Sequence, residues 1–153
     1  MECTLRLIEA DATDTEASIL NVLELTNDAD PRQVSLKGVD RVDLQFPKFS
    51  DGRAFSQAFV LRRRLRFAGE IRATGDVLVD MLPLLARTGF DAVRLRPDQR
   101  VEAAERALGF FAGHYQGDVQ QPLPAFSRDL DSELAEADAR RRRDADAFAG
   151  QGI

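Results

Sequence analysis

The fold is decided by residues 39–74, VDRVDLQFPKFSDGRAFSQAFVLRRRLRFAGEIRAT, in which the spacing of the apolar residues changes twice. Apolar and polar residues alternate in residues 39–46 and again in residues 69–74, and this period of two predicts two strands. Between them, residues 54–67 place their apolar side chains at helical spacing, which predicts a helix. Strands that are joined through a helix pair in parallel, with a right-handed crossover. The stretch therefore predicts a parallel sheet.

Similar segments extend this pattern on both sides of the central stretch. Alternating apolar residues predict further strands at residues 19–26 and 90–95. Helical spacing predicts a helix at residues 98–112 and another around Pro83, which requires either a helix start near Asp80 or a kink. We therefore expect an α/β fold of about four consecutive βα units around a parallel sheet, arranged as a half-barrel or as a small open sheet.

The chain divides into three parts. Residues 19–126 form the predicted α/β domain. Residues 1–18 are an N-terminal extension, of which residues 1–15 either pair at a sheet edge or are disordered. Residues 127–153 are a charged tail, in which Ser127 would cap a helix that begins with acidic residues and continues into a run of arginines. We expect this tail to be a charged C-terminal helix or to be disordered.

The composition excludes several classes of function. The formal net charge is −5, so we expect no nucleic-acid partner. Cys3 is the only cysteine and His114 the only histidine, so one chain cannot supply a disulfide or a cysteine- or histidine-based metal site. The sequence has no long apolar run, and its charged N-terminus does not resemble a signal peptide. We expect a cytoplasmic protein without a metal, a bound cofactor or a membrane partner.

The predicted strands alternate, although a parallel strand that is covered on both faces should be apolar throughout. Val42, Leu44 and Phe46 point to one side of the predicted sheet, and Arg41 and Asp43 point to the other. The sheet should therefore have one face packed on helices and one charged face. That charged face is either exposed to solvent, covered by a second subunit in a homodimer, or a concave surface that binds a ligand.

Polar residues near the strand ends are the candidates for ligand binding. They are Asp51, Arg53, Ser56, Glu70, Arg72, Asp76 and Asp80. Two predicted strands exit towards Asp51 and Asp76, at the carboxyl edge where the binding sites of parallel sheets collect. Arginine there, together with helix N-terminal amides, would bind a small oxyanion. The alternative is ordinary turn chemistry at these loops, with Glu70 and Arg72 forming a structural ion pair.

Two further features have plainer interpretations. The arginines of residues 62–66 are expected to form a solvated helix face rather than an RNA-binding patch, because the protein as a whole is acidic. His114, near the end of the last predicted helix, is expected to interact with the helix dipole rather than to act in catalysis.

A series of short motifs resembles a known bacterial family. The motifs are FPKFSDGR at residues 46–53, SQA at 56–58, LR at 61–62, GEIRA at 69–73, GDVL at 75–78, GFD at 89–91 and YQ at 115–116. Together with Asp80, they are similar to a family of unknown function whose members are often labelled "oxidoreductase probably involved in sulfite reduction". The label reflects genes that adjoin those for assimilatory sulfite reductase. The resemblance covers residues 20–126 and implies a place in sulfate assimilation, with sulfite reductase as the expected partner.

One position departs from the family pattern. Many members carry Cys directly before the Gly-Phe-Asp motif, where this chain has Thr88. The label implies redox chemistry, yet the sequence contains no flavin, nicotinamide, haem or iron–sulfur motif. The resemblance therefore implies a role in the pathway rather than a particular reaction.

Three functions are compatible with the sequence. The first is an accessory protein of assimilatory sulfite reduction that binds sulfite reductase or a small oxyanion. The second is a small enzyme without a bound redox cofactor, in which Glu70, Asp43 or Asp76 performs acid–base chemistry. The third is a structural homo-oligomer in which the charged face is a subunit interface.

Overall fold

The computed structural model describes residues 5–13, 19–110 and 114–129, together with residues 131, 135, 138 and 139. It contains a five-stranded sheet in which every pairing is parallel. The strands are β1 (Arg6–Ile8), β2 (Val22–Leu25), β3 (Arg41–Phe46), β4 (Glu70–Gly75) and β5 (Ala92–Arg94). Their order in the sheet is β1-β5-β4-β3-β2. The predicted parallel α/β fold is confirmed.

An α-helix follows each of the last three strands. The helices are α1 (Arg53–Phe59), which continues as a π-helical turn over Val60–Arg64, α2 (Leu82–Thr88) and α3 (Val101–Gly109). The connection from β2 to β3 contains instead a short 3₁₀ turn, Pro31–Gln33. Asp30 caps that turn by accepting a hydrogen bond from the Arg32 amide at 2.9 Å. The first of the predicted units therefore lacks an α-helix, because its proline and aspartates favour a turn.

The structure decides between the two alternatives for the helix that contains Pro83. A 3₁₀ turn, Val79–Met81, precedes α2, and Pro83 lies in the first turn of the α-helix. A proline there does not break the helix, because an amide at that position has no helical partner. The helix ends at Gly89, which has the left-handed φ of 105°. The start near Asp80, rather than the kink, is correct.

The N-terminal extension contributes an edge strand. β1 pairs in parallel with β5, with Arg6 beside Ala92, and the Arg6 amide donates to the Asp91 carbonyl oxygen at 2.8 Å. β2 is the other edge, so the sheet is open within the part of the chain that the structure describes. Cys3 and most of the tail at residues 127–153, with its predicted charged helix, lie outside the described residues.

The helices and one face of the sheet share a single hydrophobic core. The sheet contributes Val42, Leu44, Phe46, Ile71, Ala73 and Val93, and the helices contribute Ala54, Ala58, Leu61, Leu82, Leu85 and Ala104. Three phenylalanines meet in this core, with the Phe46 ring centroid 5.1 Å from that of Phe55 and 6.1 Å from that of Phe90. Such edge-to-face and tilted contacts are favourable beyond the area they bury. The predicted apolar face is confirmed.

Two glycines, one at each end of β4, allow its backbone to lie close to the backbone of β3 and of the residue before it. A Cβ atom at Gly69, just before β4, would lie 2.4 Å from the carbonyl oxygen of Asp40. A Cβ atom at Gly75, the last residue of β4, would lie 2.4 Å from the carbonyl oxygen of Phe46. Gly75 also has a φ of +93°, which L-residues rarely adopt. Neither position has room for a side chain.

Arg62 does not belong to a solvated helix face, and the sequence-based expectation is wrong for this residue. Its mostly buried guanidinium donates to the carbonyl oxygens of Phe67 (2.8 Å), Gly69 (2.7 Å) and Gly89 (2.9 Å) and to the carboxylate of Asp91. The chain turns back after α1, with the Phe67 amide donating to the Leu61 carbonyl oxygen at 2.9 Å. Loop carbonyls therefore converge on Arg62. Arg63 and Arg64 are exposed, as expected.

Residues 114–122 close the carboxyl end of α2. The Val119 amide donates to the Arg87 carbonyl oxygen at 3.2 Å, and Arg87 Nε donates to the Asp118 carboxylate at 3.1 Å. Burial acts to raise the pKa of Asp118, but hydrogen bonds from the Gln121 amide and from Arg87 outweigh it and the pKa is lowered. His114, which we expected to interact with a helix dipole, contacts this same carboxylate.

We expect Gly75→Ala to lower the free energy of unfolding by about 3 kcal/mol or more, because the new methyl group meets the Phe46 carbonyl oxygen. Gly38→Ala is the matched control, since Gly38 has a φ of +74° but a Cβ atom there would meet nothing within 4 Å. The control should lose only about 1–2 kcal/mol. Urea unfolding followed by circular dichroism measures both. Equal losses would show that backbone conformation alone requires Gly75.

Arg62→Ala should lower the free energy of unfolding by about 3 kcal/mol, because three loop carbonyls and Asp91 lose a shared donor. Arg63→Ala removes the same side chain from an exposed neighbouring position and should change stability by no more than about 0.5 kcal/mol. Chemical denaturation of the two variants under one condition measures the difference. A similar small effect for both would contradict the role given to Arg62.

Candidate functional site

The register of β3 and β4 produces the charged face of the sheet. Arg41 lies beside Glu70, and Asp43 lies beside Arg72, so opposite charges are neighbours across the two strands. Residues two apart on a strand share a face, so these four residues form a square of alternating charge. Arg94 of β5 also lies on this face, because Ala92 lies beside Arg72 and Arg94 is two residues further along the strand. We call the first four residues the charged square.

Within the charged square the guanidinium groups are buried and the carboxylates are partly exposed. Arg41 Nε donates to Asp43 at 2.8 Å, and Arg72 Nη2 lies 3.0 Å from Glu70. Each of the two arginine side chains is only 2% exposed. Arg6 of β1 also pairs with Glu70, at 2.6 Å. Glu70 and Arg72 therefore form the ion pair that was one of their two sequence-based interpretations.

The loop after β3 carries another ion pair. Arg53 Nη2 lies 2.7 Å from Asp51 Oδ2, and the Arg53 amide donates to Asp51 Oδ1 at 3.2 Å. Asn27, in the loop after β2, donates to the same carboxylate at 2.6 Å. The hydrogen bonds from Arg53 lower the pKa of Asp51 to about 2, so this carboxylate is ionised at neutral pH. The Arg53 side chain is 61% exposed and presents its charge to solvent.

Asp76 joins two loops at the carboxyl edge of the sheet. One of its oxygens accepts a hydrogen bond from the Phe49 amide at 2.8 Å, and the other accepts one from Arg96. Phe49 and Asp51 lie on one loop, and Arg53 follows it as the first residue of α1. The structure therefore brings together a set that we call the carboxyl-edge cluster. Its members are Phe49, Asp51, Arg53, Asp76 and Arg96.

Arg96 is not among the seven residues that the sequence predicts for ligand binding. This residue follows β5 and pairs with Asp98 at 2.6 Å as well as with Asp76. The hydrogen bonds from Arg96 lower the pKa of Asp98, and the bonds to Asp98 and Asp76 raise the pKa of Arg96. Arg96 lies at the exit of a predicted strand, as Asp51 and Asp76 do, and this position could have identified it.

The seven candidate residues do not converge on one ligand site. Ser56 is exposed on α1, and Asp80 is exposed in the 3₁₀ turn before α2. Glu70 begins β4 and therefore lies at the amino edge of the sheet, with Arg72 two residues further along the strand. The candidates that share the carboxyl edge are Asp51, Arg53 and Asp76.

Two cavities open beside these elements. One, of about 570 Å³, lies between the loop after β1 and the start of α3, and its lining includes Asp11, Arg96 and Arg100. The other, of about 500 Å³, lies on the charged face, and its lining includes Glu24, Thr26, Arg41, Asp43, Gln45, Thr74 and Arg94. The described residues contain no group of three His, Cys, Asp or Glu side chains placed to hold a metal ion.

The carboxylates considered for acid–base chemistry all contact arginine. Asp43 pairs with Arg41, and the pairs of Glu70 and Asp76 are described above. A general acid at neutral pH needs a raised carboxyl pKa, which an apolar pocket supplies. The carboxyl groups whose pKa is clearly shifted in the described part of the chain are lowered instead. They are Asp28, Asp51, Asp98 and Asp118.

Arg53→Gln should raise the pKa of the Asp51 carboxyl from about 2 towards 3.8, because its strongest hydrogen bond is lost. A lowered native pKa means that the stabilisation from this carboxylate is present above about pH 4 and is lost as the pH falls towards 2. Carbon-13 NMR titration of the aspartate side chains measures the pKa directly, with Arg63→Gln as the control. An unchanged pKa would show that Asn27 and the backbone hold the carboxylate ionised.

Comparison with known proteins identifies one family. A family model described as a bacterial protein of unknown function (DUF934) matches residues 22–126. The matched segment begins with β2 and includes β3, β4, β5 and all three α-helices. No curated protein and no solved structure matches the chain. None of the helices in the described residues is long and apolar enough to cross a membrane. Because the family model covers most of the chain, the protein belongs to the DUF934 family of bacterial proteins.

Proposed function

We propose that this protein is an accessory factor of assimilatory sulfite reduction and that it binds sulfite reductase through the carboxyl-edge cluster. The link to sulfite reduction is supported by the sequence motifs and the label that members of the family carry. The location of the binding surface is supported by the geometry of Phe49, Arg53 and Arg96.

The observation that carries the proposal is an exposed aromatic ring among arginines. Phe49 is 55% exposed, while its backbone amide is held by the Asp76 carboxylate at 2.8 Å. Arg53 is largely exposed, and Arg96 is partly exposed and bound to the same Asp76. The few residues that dominate the binding energy of protein interfaces are enriched in Trp, Tyr and Arg, and Phe is enriched at interfaces as well. A surface whose backbone is already fixed loses little entropy when a partner binds.

This composition favours a protein partner over a small oxyanion. Arg53 is already paired with Asp51, and Arg96 is already paired with Asp76 and Asp98. A sulfite ion would have to compete with these carboxylates, whose negative charge repels it. A protein partner can keep the ion pairs intact and still bury the Phe49 ring. The small oxyanion is therefore the alternative ligand of the same surface.

The other two hypotheses have less support. A carboxyl group that acts as a general acid must hold a proton at neutral pH, and the candidate carboxylates are instead in ion pairs with arginine. In a homo-oligomer, a second subunit would cover the charged face. The Arg41 and Arg72 side chains are already only 2% exposed in a single chain, so a second subunit is not needed to bury them.

Deletion of the gene tests the pathway. We expect the deletion strain to grow poorly with sulfate or sulfite as the sole sulfur source and normally with cysteine. Complementation with the intact gene should restore growth on sulfate. Normal growth of the deletion strain on sulfate would refute the role in sulfite reduction.

Phe49→Ala tests the binding surface. It should weaken binding to purified sulfite reductase by about tenfold or more, because it removes the exposed aromatic anchor. Phe59→Ala is the matched control, since Phe59 is also exposed (42%) but lies on α1, outside the carboxyl-edge cluster. Biolayer interferometry measures both affinities. Equal effects of the two variants would place the partner elsewhere, and sulfite binding without enzyme binding would favour the oxyanion.

A further inference from the structure

We infer that the turn after α1 is a docking surface for an acidic segment of a partner protein. The surface consists of Arg63 and Arg64, which end the π-helical turn, and of Leu65 and Arg66, which follow it. We call these four residues the basic turn. It lies at the amino edge of the sheet, where the chain enters β4, whereas the carboxyl-edge cluster lies at the other end of α1. The basic turn is therefore a second surface, and its role does not depend on the proposed function.

The three arginines of the basic turn carry charge that the described part of the chain does not compensate. All three are exposed, and within that part neither an ion pair nor a hydrogen bond engages their guanidinium groups. Two carboxylates lie beside the turn, and other arginines already occupy them. Arg62 contacts Asp91. Arg72 pairs with Glu70 at 3.0 Å. Positive charge is thus concentrated at one place on a protein whose net charge is −5, and such a patch attracts and orients a negatively charged partner.

Arg66 has a backbone conformation that normally belongs to glycine. Its φ is +55°, and among the residues that the structure describes it is the one non-glycine residue with a positive φ. At the end of α2 the chain turns through the same left-handed region with Gly89, whose φ is +105°. An L-residue in this conformation costs free energy that glycine avoids. The turn could form without this strain, which points to a use of the Arg66 side chain outside the fold.

The backbone of the basic turn is fixed on its inner side. The mostly buried Arg62 guanidinium donates to the carbonyl oxygens of Phe67 at 2.8 Å and Gly69 at 2.7 Å. Phe67 is only 9% exposed, and its amide donates to the Leu61 carbonyl oxygen at 2.9 Å. A partner would therefore meet the three arginines on a backbone that is already ordered. Binding to such a surface loses little backbone entropy.

The chemistry of the basic turn favours a protein segment over other polyanions. Leu65 is 36% exposed among the arginines, and burying it requires an apolar side chain on the partner rather than a phosphate group. Nucleic-acid binding typically uses about 6–10 phosphate contacts, and anionic membranes are recognised by roughly 4–8 clustered basic residues. The basic turn has three arginines, and the rest of the protein is acidic. The occupant is therefore a short segment rich in glutamate or aspartate that also carries an apolar residue.

A fluorescently labelled peptide of repeating Glu-Glu-Leu units tests this surface on the full-length protein. Fluorescence anisotropy should show binding that weakens as salt is added, because salt screens exposed charges. Removal of all three charges should weaken binding by about tenfold or more, in the triple variant Arg63→Gln, Arg64→Gln, Arg66→Gln. The matched control changes the net charge equally at scattered exposed arginines, in the triple variant Arg32→Gln, Arg100→Gln, Arg106→Gln. Equal losses in the two variants would overturn the proposal, because net charge alone would then govern binding.

Two further probes distinguish the class of partner. Polyuridine RNA and vesicles of phosphatidylcholine with phosphatidylserine should both bind more weakly than the peptide. Tighter binding of either probe through the same arginines would overturn the proposal in favour of a nucleic-acid or membrane surface. No binding of the peptide at millimolar concentration would also overturn it. Phe49→Ala should leave peptide binding unchanged, so this proposal and the proposed function can fail independently.

Arg66→Gly separates the use of the side chain from its effect on the fold. This variant should raise the melting temperature by about 2–4 °C, because it relieves the strained backbone. It should also weaken peptide binding, whereas a purely structural residue would not improve stability when it is removed. Arg66→Gln is the matched variant, which keeps the strain and should weaken binding without raising the melting temperature. Unchanged peptide affinity in Arg66→Gly, or a lower melting temperature, would contradict the role given to Arg66.

Discussion

The structure depends on two ion pairs within the sheet, Arg41 with Asp43 and Arg72 with Glu70. Among the residues that the structure describes, the hydrophobic core lies on one face of the sheet, so charge that is buried on the opposite face must be compensated. A buried guanidinium that loses its carboxylate costs about 3–5 kcal/mol. The register of β3 and β4 is therefore specified twice, by apolar contacts on one face and by alternating charge on the other. A shift of this register by one residue would move the side chains of one strand to the opposite faces, and both the apolar contacts and the charge pairing would be lost.

The parallel sheet, its helices and its charged face could be predicted because their signal lies within single elements. Alternation in residues 39–46 already separates Val42 and Leu44 from Arg41, and helical spacing identifies α1. Contacts between distant loops leave no such local signal. Arg62 sits in a run of arginines that looks solvated, and its acceptors are brought to it only by the turn after α1. The pairing of Arg96 with Asp76 likewise depends on two strand exits that meet only in the folded sheet.

Several residues that carry the family resemblance have a role in packing. Gly69 and Gly75 permit close backbone approach, and Arg62 holds the Gly-Phe-Asp segment through Gly89 and Asp91. Thr88, which directly precedes the Gly-Phe-Asp motif, is the last residue of α2, and its hydroxyl donates to the Leu84 carbonyl oxygen at 2.9 Å. Packing does not explain Phe49 and Arg53, which belong to the first motif and face solvent. They are among the exposed residues of that motif, and the proposed binding surface rests on them.

The N-terminal strand gives the sheet contacts between residues that are far apart in the sequence. β2, β3, β4 and β5 lie side by side in chain order, but β1 pairs with β5, and Arg94 contacts Ala10 across 84 residues. Contacts of such long sequence separation form slowly, because the loop must close before they are gained. During synthesis β1 leaves the ribosome long before its partner exists. The four consecutive strands can assemble with their helices first, and the arrival of β1 is then the step that completes the sheet and brings the loop after β1 to the cavity beside α3.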